Sequence, residues 1–196
     1  MNFKELDDLI HRGVKEVVLE SDILLDNGEE FEYREGIKLD VDDLVIDGGG
    51  HTIDACGKTR IFLCCSANTI IKDITLKNGF TEESGGAIFN AKDAELRLKD
   101  CNFNNNHALS RGGSVENNRD SKLYVAKCNF SKNSAEDGGA ISNMKRCHLI
   151  LKDCCFENNE AMDHVGLFIT GWALWTSAVQ ILFITNQNTP EQSITI

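Results

Sequence analysis

Apolar and polar positions alternate in short segments along the chain, and two such segments return at a fixed spacing. The first is a glycine pair followed by an alternating run, found at residues 85–90, 112–117 and 138–143. The second alternates apolar and polar residues up to a phenylalanine and occurs at residues 96–103, 123–130 and 149–156. Both segments return after 26 or 27 residues, which indicates a repeated structural unit.

Within each unit the side chains alternate between two faces, as they do in β-strands. We expect one set to face the interior, and this set comprises Ile88, Val115 and Ile141. We expect the next position to face solvent, and it holds Phe89, Glu116 and Ser142. Three strands per unit, separated by corners rich in Gly and Asn, predict an all-β fold. This fold is a right-handed, single-stranded parallel β-helix with three sides and about 27 residues per coil.

Stacked coils place equivalent side chains above one another, roughly 4.8 Å apart. Two internal columns are predicted, one of Cys101, Cys128 and Cys154 and one of Phe103, Phe130 and Phe156. A polar ladder of side-chain amides is predicted for Asn90, Asn117 and Asn143. The cysteine column could instead serve redox or metal chemistry. No His or carboxylate recurs beside it, so we favour small apolar residues filling a tight interior.

The first residues predict a short helix that covers the exposed strand edge of the first coil. Phe3, Leu6 and Ile10 recur at helical spacing within residues 3–12. The predicted organisation is a capping helix, a parallel β-helix and a C-terminal tail, at residues 1–13, 14–186 and 187–196.

The C-terminal stretch from Val165 to Thr185 has 21 residues and no charge. Its length alone would allow a membrane segment. However, Phe183 lies 27 residues after Phe156, so the repeat favours a degenerate last coil. A dimer interface and a poorly ordered tail are further alternatives. The apolar run at residues 181–184 makes self-association through the last coil a possible outcome.

Charge and cysteine usage exclude several classes of function. The net charge of -11 disfavours nucleic acid, anionic membranes and polyanionic substrates as partners. The chain has eight cysteines but no CxxC pair, which gives little support for a metal site. The N-terminal residues contain acids and no apolar core, so they do not form a signal peptide.

The glycine-pair motif, together with the FxxN pattern, resembles the repeats of polymorphic outer-membrane proteins. A closer resemblance is to the β-helix domains of adhesin-like surface proteins of methanogenic archaea. The matching residues are Gly36-Ile37, LVIDGGGHTID at 44–54, ITLKNG at 74–79 and GGAI at 85–88. This resemblance implies a non-catalytic domain at the cell surface or outside the cell.

The same solenoid also resembles pectate lyases and polygalacturonases, so an enzyme is the main alternative. Inverting hydrolysis needs two carboxyl groups roughly 6.5–9.5 Å apart, and lyase chemistry needs calcium and a base. Weak catalytic candidates are Asp42, Asp43, Asp47 and His51, and the three aspartates are weak candidates for calcium. The recurring residues Asp73, Asp100 and Asp153 are interpreted as corner residues, because Lys127 interrupts their row. No other metal or cofactor is expected.

The outward positions of the predicted sheets vary from coil to coil, which suits a binding surface. The predicted binding residues are Phe89, Arg97, Glu116, Tyr124, Ser142 and Ile150. We therefore expect an adhesin-like domain that binds an extended glycan or a protein. The alternatives are a polysaccharide-cleaving enzyme and a structural fragment of a longer surface protein.

Overall fold

The computed structural model describes residues 1–163 and, further along the chain, the backbone of residues 168–175, 181–184 and 194–195. The described chain is a parallel β-solenoid of about five turns, with about 27 residues per turn and one short N-terminal helix. The β-helix predicted from the repeat is therefore confirmed.

The elements follow one another in the order that a solenoid requires. Helix α1 spans Phe3–His11, and a 3-10 turn spans Glu29–Phe31. The first two coils contain β1 (Glu16–Val18), β2 (Ile23–Leu24), β3 (Ile37–Leu39), β4 (Val45–Asp47), β5 (Thr52–Asp54) and β6 (Phe62–Cys64). The next two contain β7 (Thr69–Lys77), β8 (Phe80–Thr81), β9 (Ile88–Asn90), β10 (Glu95–Asn104), β11 (His107–Ala108) and β12 (Val115–Asn117). The remaining strands are β13 (Lys122–Ala126), β14 (Asn129–Ser131), β15 (Ser134–Asp137), β16 (Ile141–Asn143), β17 (His148–Lys152), β18 (Cys155–Asp163), β19 (Phe168–Trp175), β20 (Ile181–Ile184) and β21 (Ile194–Thr195).

Equivalent strands of successive coils stack in parallel and in register. Sheet A contains β1, β2, β4, β5, β7, β10, β13, β14 and β17. Sheet B contains β3, β6, β9, β12 and β16, and sheet C contains β8, β11 and β15. Strand β18 pairs with β14 of sheet A and with β15 of sheet C. Leu96 aligns with Leu123, and Leu123 with Leu149, so the register follows the sequence repeat.

The interior contains the predicted apolar columns. The rings of Phe103 and Phe130 stack with centroids 4.7 Å apart, and those of Phe130 and Phe156 with centroids 4.8 Å apart. Each such pair contributes about 0.5–1.5 kcal/mol beyond the area it buries. Cys101, Cys128 and Cys154 are buried beside this column as free thiols.

Two ladders of buried asparagine side chains connect the coils. In the predicted ladder, Asn90 Nδ2 donates to Asn117 Oδ1 at 2.7 Å, and Asn117 Nδ2 donates to Asn143 Oδ1 at 2.7 Å. The second ladder lies at another of the Asn-bearing corners and was not predicted from the sequence. Asn106 Nδ2 donates to Asn133 Oδ1 at 3.0 Å, and Asn133 Nδ2 donates to Asn159 Oδ1 at 2.8 Å.

The corners between strands are built from residues in the left-handed conformation. Asp73, Asp100, Lys127 and Asp153 occupy one corner row, with φ values of 48°, 52°, 54° and 54°. Lys127 adopts the same conformation as the three aspartates, so this row has a backbone role, as the sequence indicated. At the glycine pair there is no room for a side chain, because a Cβ on Gly86 would lie 2.2 Å from the Gly113 carbonyl oxygen.

The N-terminal helix covers the first coil as the apolar spacing predicted. Phe3, Leu6 and Ile10 are fully buried against the solenoid core. The helix begins with a capping box, in which Asn2 Oδ1 accepts from the Glu5 N–H at 2.9 Å and Glu5 Oε2 accepts from the Asn2 N–H at 3.0 Å.

The described strands beyond residue 163 do not form the parallel last coil that the repeat predicted. Strand β20 pairs antiparallel with β17, and β19 pairs antiparallel with both β16 and β18. The physical reason is that residues 165–185 lack the corner signals of the other coils, since they contain no Asn and no glycine pair. No helix among the described residues is long and apolar enough to span a membrane. Residues 164–167, 176–180 and 185–186 of the predicted β-helix, and most of the predicted tail, lie outside the described residues.

The second ladder predicts that substitutions of two asparagines in the same coil, Asn133 and Asn129, differ in their effect on stability. Asn133 Oδ1 accepts from both the backbone and the side chain of Asn106, so the Asn133→Ala variant leaves buried donors without an acceptor. We expect a loss of roughly 1–3 kcal/mol for each such group in urea denaturation. The control is Asn129→Ala, which removes an exposed amide. Equal stability of the two variants would contradict the structural role of the second ladder.

A second prediction concerns the attachment of the capping helix. His11 Nδ1 lies 3.0 Å from Asp7 Oδ1, and its Nε2 lies 3.3 Å from Asp40 Oδ1 in the first coil. Burial lowers the pKa of His11, but the Asp7 carbonyl and the carboxylates of Asp7 and Asp40 outweigh it and raise the pKa above its ordinary 6.5.

The charged His11 side chain therefore stabilises the folded state fully below pH 6.5, and this contribution disappears as the pH rises through the raised pKa. We expect His11→Gln to lose stability at pH 5.5 but to match the wild type at pH 8.5. Because the side chain is partly exposed, the difference should be below about 1 kcal/mol in urea denaturation. A difference that is the same at both pH values would exclude this ion pair as its source.

Candidate ligand-binding surfaces

The four weak catalytic candidates lie at corners on either side of β4. Asp42 and Asp43 precede β4, whereas Asp47 is its last residue, so β4 separates the two groups. Asp42 Oδ1 accepts from the Ala67 N–H at 2.9 Å, and Asp43 Oδ1 accepts from Asn68 Nδ2 at 3.2 Å. These two carboxylates thus connect one corner to the equivalent corner of the next coil.

Asp47 and His51 are also engaged in local contacts. Asp47 lies 2.9 Å from Lys72 Nζ, which lowers the pKa of the carboxyl, and it also accepts from the Gly49 N–H at 3.0 Å. His51 Nδ1 lies 3.3 Å from Asp22 Oδ1. Among the side chains that the structure describes, no group of three or more His, Cys, Asp or Glu is arranged to hold a metal ion. Each of the four candidate side chains contacts a backbone or side-chain group at its own corner.

Three of the six predicted binding residues lie together on the outside of sheet A. Arg97 aligns with Tyr124, and Tyr124 with Ile150, and Ile70 extends the same column by one coil. All four side chains are half-buried. The Arg97 guanidinium lies 4.3 Å from the centroid of the Tyr124 ring, a cation–π contact. We call this surface the front face; it consists of the outward side chains of residues 69–72, 95–99, 122–126 and 148–152.

The other three predicted binding residues lie on sheet B, and for two of them the expected exposure is wrong. Glu116 and Ser142 are fully buried, and Phe89 is half-buried beneath the Arg60 guanidinium, 5.2 Å from its ring centroid. The glycine corner folds back over the outer side of the strand, since a Cβ on Gly112 would lie 2.4 Å from the Val115 carbonyl oxygen. The alternation of residues along a strand does not indicate that a corner covers the outer side of that strand.

Glu116 is consequently a buried carboxylate rather than a binding residue. Its nearest cationic group is Arg111 Nε at 3.5 Å, and neither carboxylate oxygen has a hydrogen-bond partner among the described residues. Burial raises the pKa of Glu116 to about 7; Ser142 and Arg111 lower it in part, and Asp137 raises it further.

A surface that sequence analysis missed lies where sheet A meets sheet C. Two depressions, of about 480 Å³ and 420 Å³, meet at His107. The first is lined by Asp54, Asn78, Phe80 and Asn105, among others, and the second by Leu109, Glu136 and Met162. We call the two depressions together the side groove. The available signal was the row Phe80, His107, Ser134 and Glu160, which recurs directly after each Asn-bearing corner.

The first depression of the side groove has a connected polar wall. Asn105 Nδ2 donates to Asn78 Oδ1 at 2.8 Å, and Asn78 Nδ2 donates to Asp54 Oδ1 at 2.8 Å. Asp54 Oδ2 lies 3.2 Å from Lys77 Nζ. Although burial opposes it, these contacts and the Cys56 N–H lower the pKa of Asp54, so the carboxylate remains charged.

The buried Glu116 predicts an unusual pH dependence of stability. Its pKa is 4.5 when unfolded and about 7 when folded, so stability falls as the pH rises from 4.5 to 7. At about 1.4 kcal/mol per pKa unit, the fall amounts to a few kcal/mol. We expect Glu116→Gln to remove it in urea denaturation, whereas Glu157→Gln, an exposed control, should retain it. A wild-type profile without this fall would contradict the raised pKa of this buried carboxylate.

Comparison with known proteins agrees with the fold. The family model described as the right-handed beta helix region matches residues 34–188, which is more than half of the chain. Comparisons with curated proteins and with solved structures gave no significant match. On the strength of the family match and the stacked parallel coils, the chain belongs to the right-handed β-helix family.

Proposed function

We propose that this chain is a non-catalytic β-helix domain, displayed at the cell surface, that binds an extended glycan along its front face. The observation that carries the proposal is the column Ile70, Arg97, Tyr124 and Ile150, which runs across four coils at the spacing of one strand. Aromatic and apolar side chains of this kind contact the flat faces of sugar rings, and Arg97 adds hydrogen-bond donors.

A second column beside the first supplies further donors. Lys72 aligns with Lys99, and Ala126 aligns with Lys152 on the following coils. Their ammonium groups can donate to the hydroxyl and ring oxygens of a glycan. The strands beneath are paired on both sides within the stack, so an extended peptide finds no free strand edge there. This arrangement favours a glycan over a peptide strand as the ligand.

The enzymatic alternative has less support. Asp42, Asp43, Asp47 and His51 each contact a neighbouring backbone or side-chain group at a corner. The surface location is supported by the resemblance of the repeats to adhesin-like surface proteins. No cofactor is part of this proposal, and the test includes calcium because lyase chemistry would depend on it.

The test is a polysaccharide array, read for binding and for product release with and without calcium. We expect binding without new reducing or unsaturated chain ends. Tyr124→Ala should weaken binding about fivefold or more, because it removes an aromatic contact of about 1 kcal/mol. Phe31→Ala is the matched control, since Phe31 is an aromatic side chain with 85% exposure away from the front face.

Two results would overturn the proposal. New chain ends in the presence of calcium would establish an enzyme, and alanine variants of Asp42, Asp43, Asp47 and His51 would then locate its acids. Equal loss of binding in the Tyr124 and Phe31 variants would show that the front face is not the binding surface.

A further inference from the structure

The side groove has features that the front face lacks. The rings of Phe80 and His107 stack with centroids 5.8 Å apart and planes 20° apart. The His107 ring is held in place by Ser134 of the next coil, whose Oγ lies 2.8 Å from Nδ1. Both rings line the first depression, and His107 also lines the second, so the stacked pair lies where the two depressions meet.

The polar wall of the groove suits a ligand with many hydroxyl groups. The amides of Asn105 and Asn78 each offer a donor and an acceptor, and the Asp54 carboxylate at the end of the row offers acceptors, with one coil between successive members. A sugar hydroxyl both donates and accepts, so adjacent hydroxyls can bond to successive members of this wall. The aromatic pair beside the wall provides the apolar contact that the ring carbons of a sugar require.

The charges of the groove indicate a neutral ligand. Asp54 is paired with Lys77, and Glu136 lines the second depression, among whose described lining residues there is no Lys or Arg. An anionic chain would therefore be repelled, in keeping with the overall charge of -11. Exposed Leu109 and Met162 extend the apolar surface to the far end of the groove.

We propose that the side groove is a second binding site, separate from the front face, for a neutral oligosaccharide that stacks on Phe80 and His107 and bonds to the amides of Asn78 and Asn105. The groove extends from the coil of Asp54 to the coil of Met162, four strand spacings or roughly 19 Å. That length accommodates several sugar units. This site does not depend on the function proposed for the front face.

The test uses the histidine rings as separate reporters in NMR spectra of the full chain. His107 lies in the side groove, whereas His148 lies on the front face beside Lys122. The probes are cellohexaose, mannohexaose and hexagalacturonate at millimolar concentration, and His107→Gln assigns the His107 signals. We expect a neutral hexaose to shift the His107 signals and hexagalacturonate to leave them unchanged.

Two matched pairs of variants test the contacts. Asn105→Gly and Lys132→Gly both replace a left-handed corner residue, but only the first removes an amide from the groove wall. Phe80→Ala removes the stacked ring, and Phe31→Ala removes an exposed aromatic ring that does not line the groove. We expect the Asn105 and Phe80 variants to reduce the ligand-induced His107 shift at least fivefold, and the Lys132 variant to retain it.

The side-groove proposal is overturned if no neutral hexaose shifts His107, or if hexagalacturonate shifts it more than the neutral probes do. It is also overturned if Lys132→Gly loses the shift as fully as Asn105→Gly. A shift confined to His148 would support the front face alone, whereas a shift confined to His107 would support the side groove alone. The two proposals therefore fail by different observations.

Discussion

The solenoid depends on buried hydrogen bonds between equivalent asparagine side chains. A chain that turns inside a narrow coil buries backbone amides and carbonyls at its corners, and each such group needs a partner. The amide of Asn133 meets this need, because its oxygen accepts from Asn106 of the preceding coil while its nitrogen donates to the Phe103 carbonyl and to Asn159. The asparagine side chain of each coil thus provides hydrogen-bond partners for polar groups that are buried in the adjacent coil.

The in-register pairing of the strands makes the other columns equally regular. Backbone hydrogen bonds set the spacing between coils, and the Phe103, Phe130 and Phe156 rings stack at nearly that distance. The same spacing governs the outside, where Arg97 meets Tyr124 and Phe80 meets His107. The two proposed binding surfaces are therefore a consequence of the internal order, and their side chains need no separate scaffold.

Much of the fold followed from the sequence, because period and alternation are local properties. The coil length, the inward columns, the first ladder and the capping helix could all be predicted in this way. The burial of Glu116 and Ser142 could not be predicted, because the glycine corner that precedes the strand folds back over its outer side. The antiparallel pairing of β20 with β17 could not be predicted either. The spacing of Phe156 and Phe183 along the sequence fits the repeat for a strand of either direction.

The candidate sites were predicted less completely for a related reason. Arg97, Tyr124 and Ile150 were identified because they lie within one recognisable strand motif. Phe80 and His107 follow the corner, where the sequence motif is weak, and their proximity appears only when the coils are superimposed. Residue types alone also drew attention to Asp47 and His51, whose partners Lys72 and Asp22 come from other coils.

The in-register stacking has an evolutionary consequence. Because every coil contributes one side chain to each outer column, duplication of a single coil would lengthen both surfaces by one step and leave the interior contacts unchanged. Tyr124 could change without disturbing Leu123 or Val125, which point the opposite way. Substitution of outward residues would therefore change the chemistry of a surface, whereas duplication of a coil would change its length. The two properties can evolve through separate mutations.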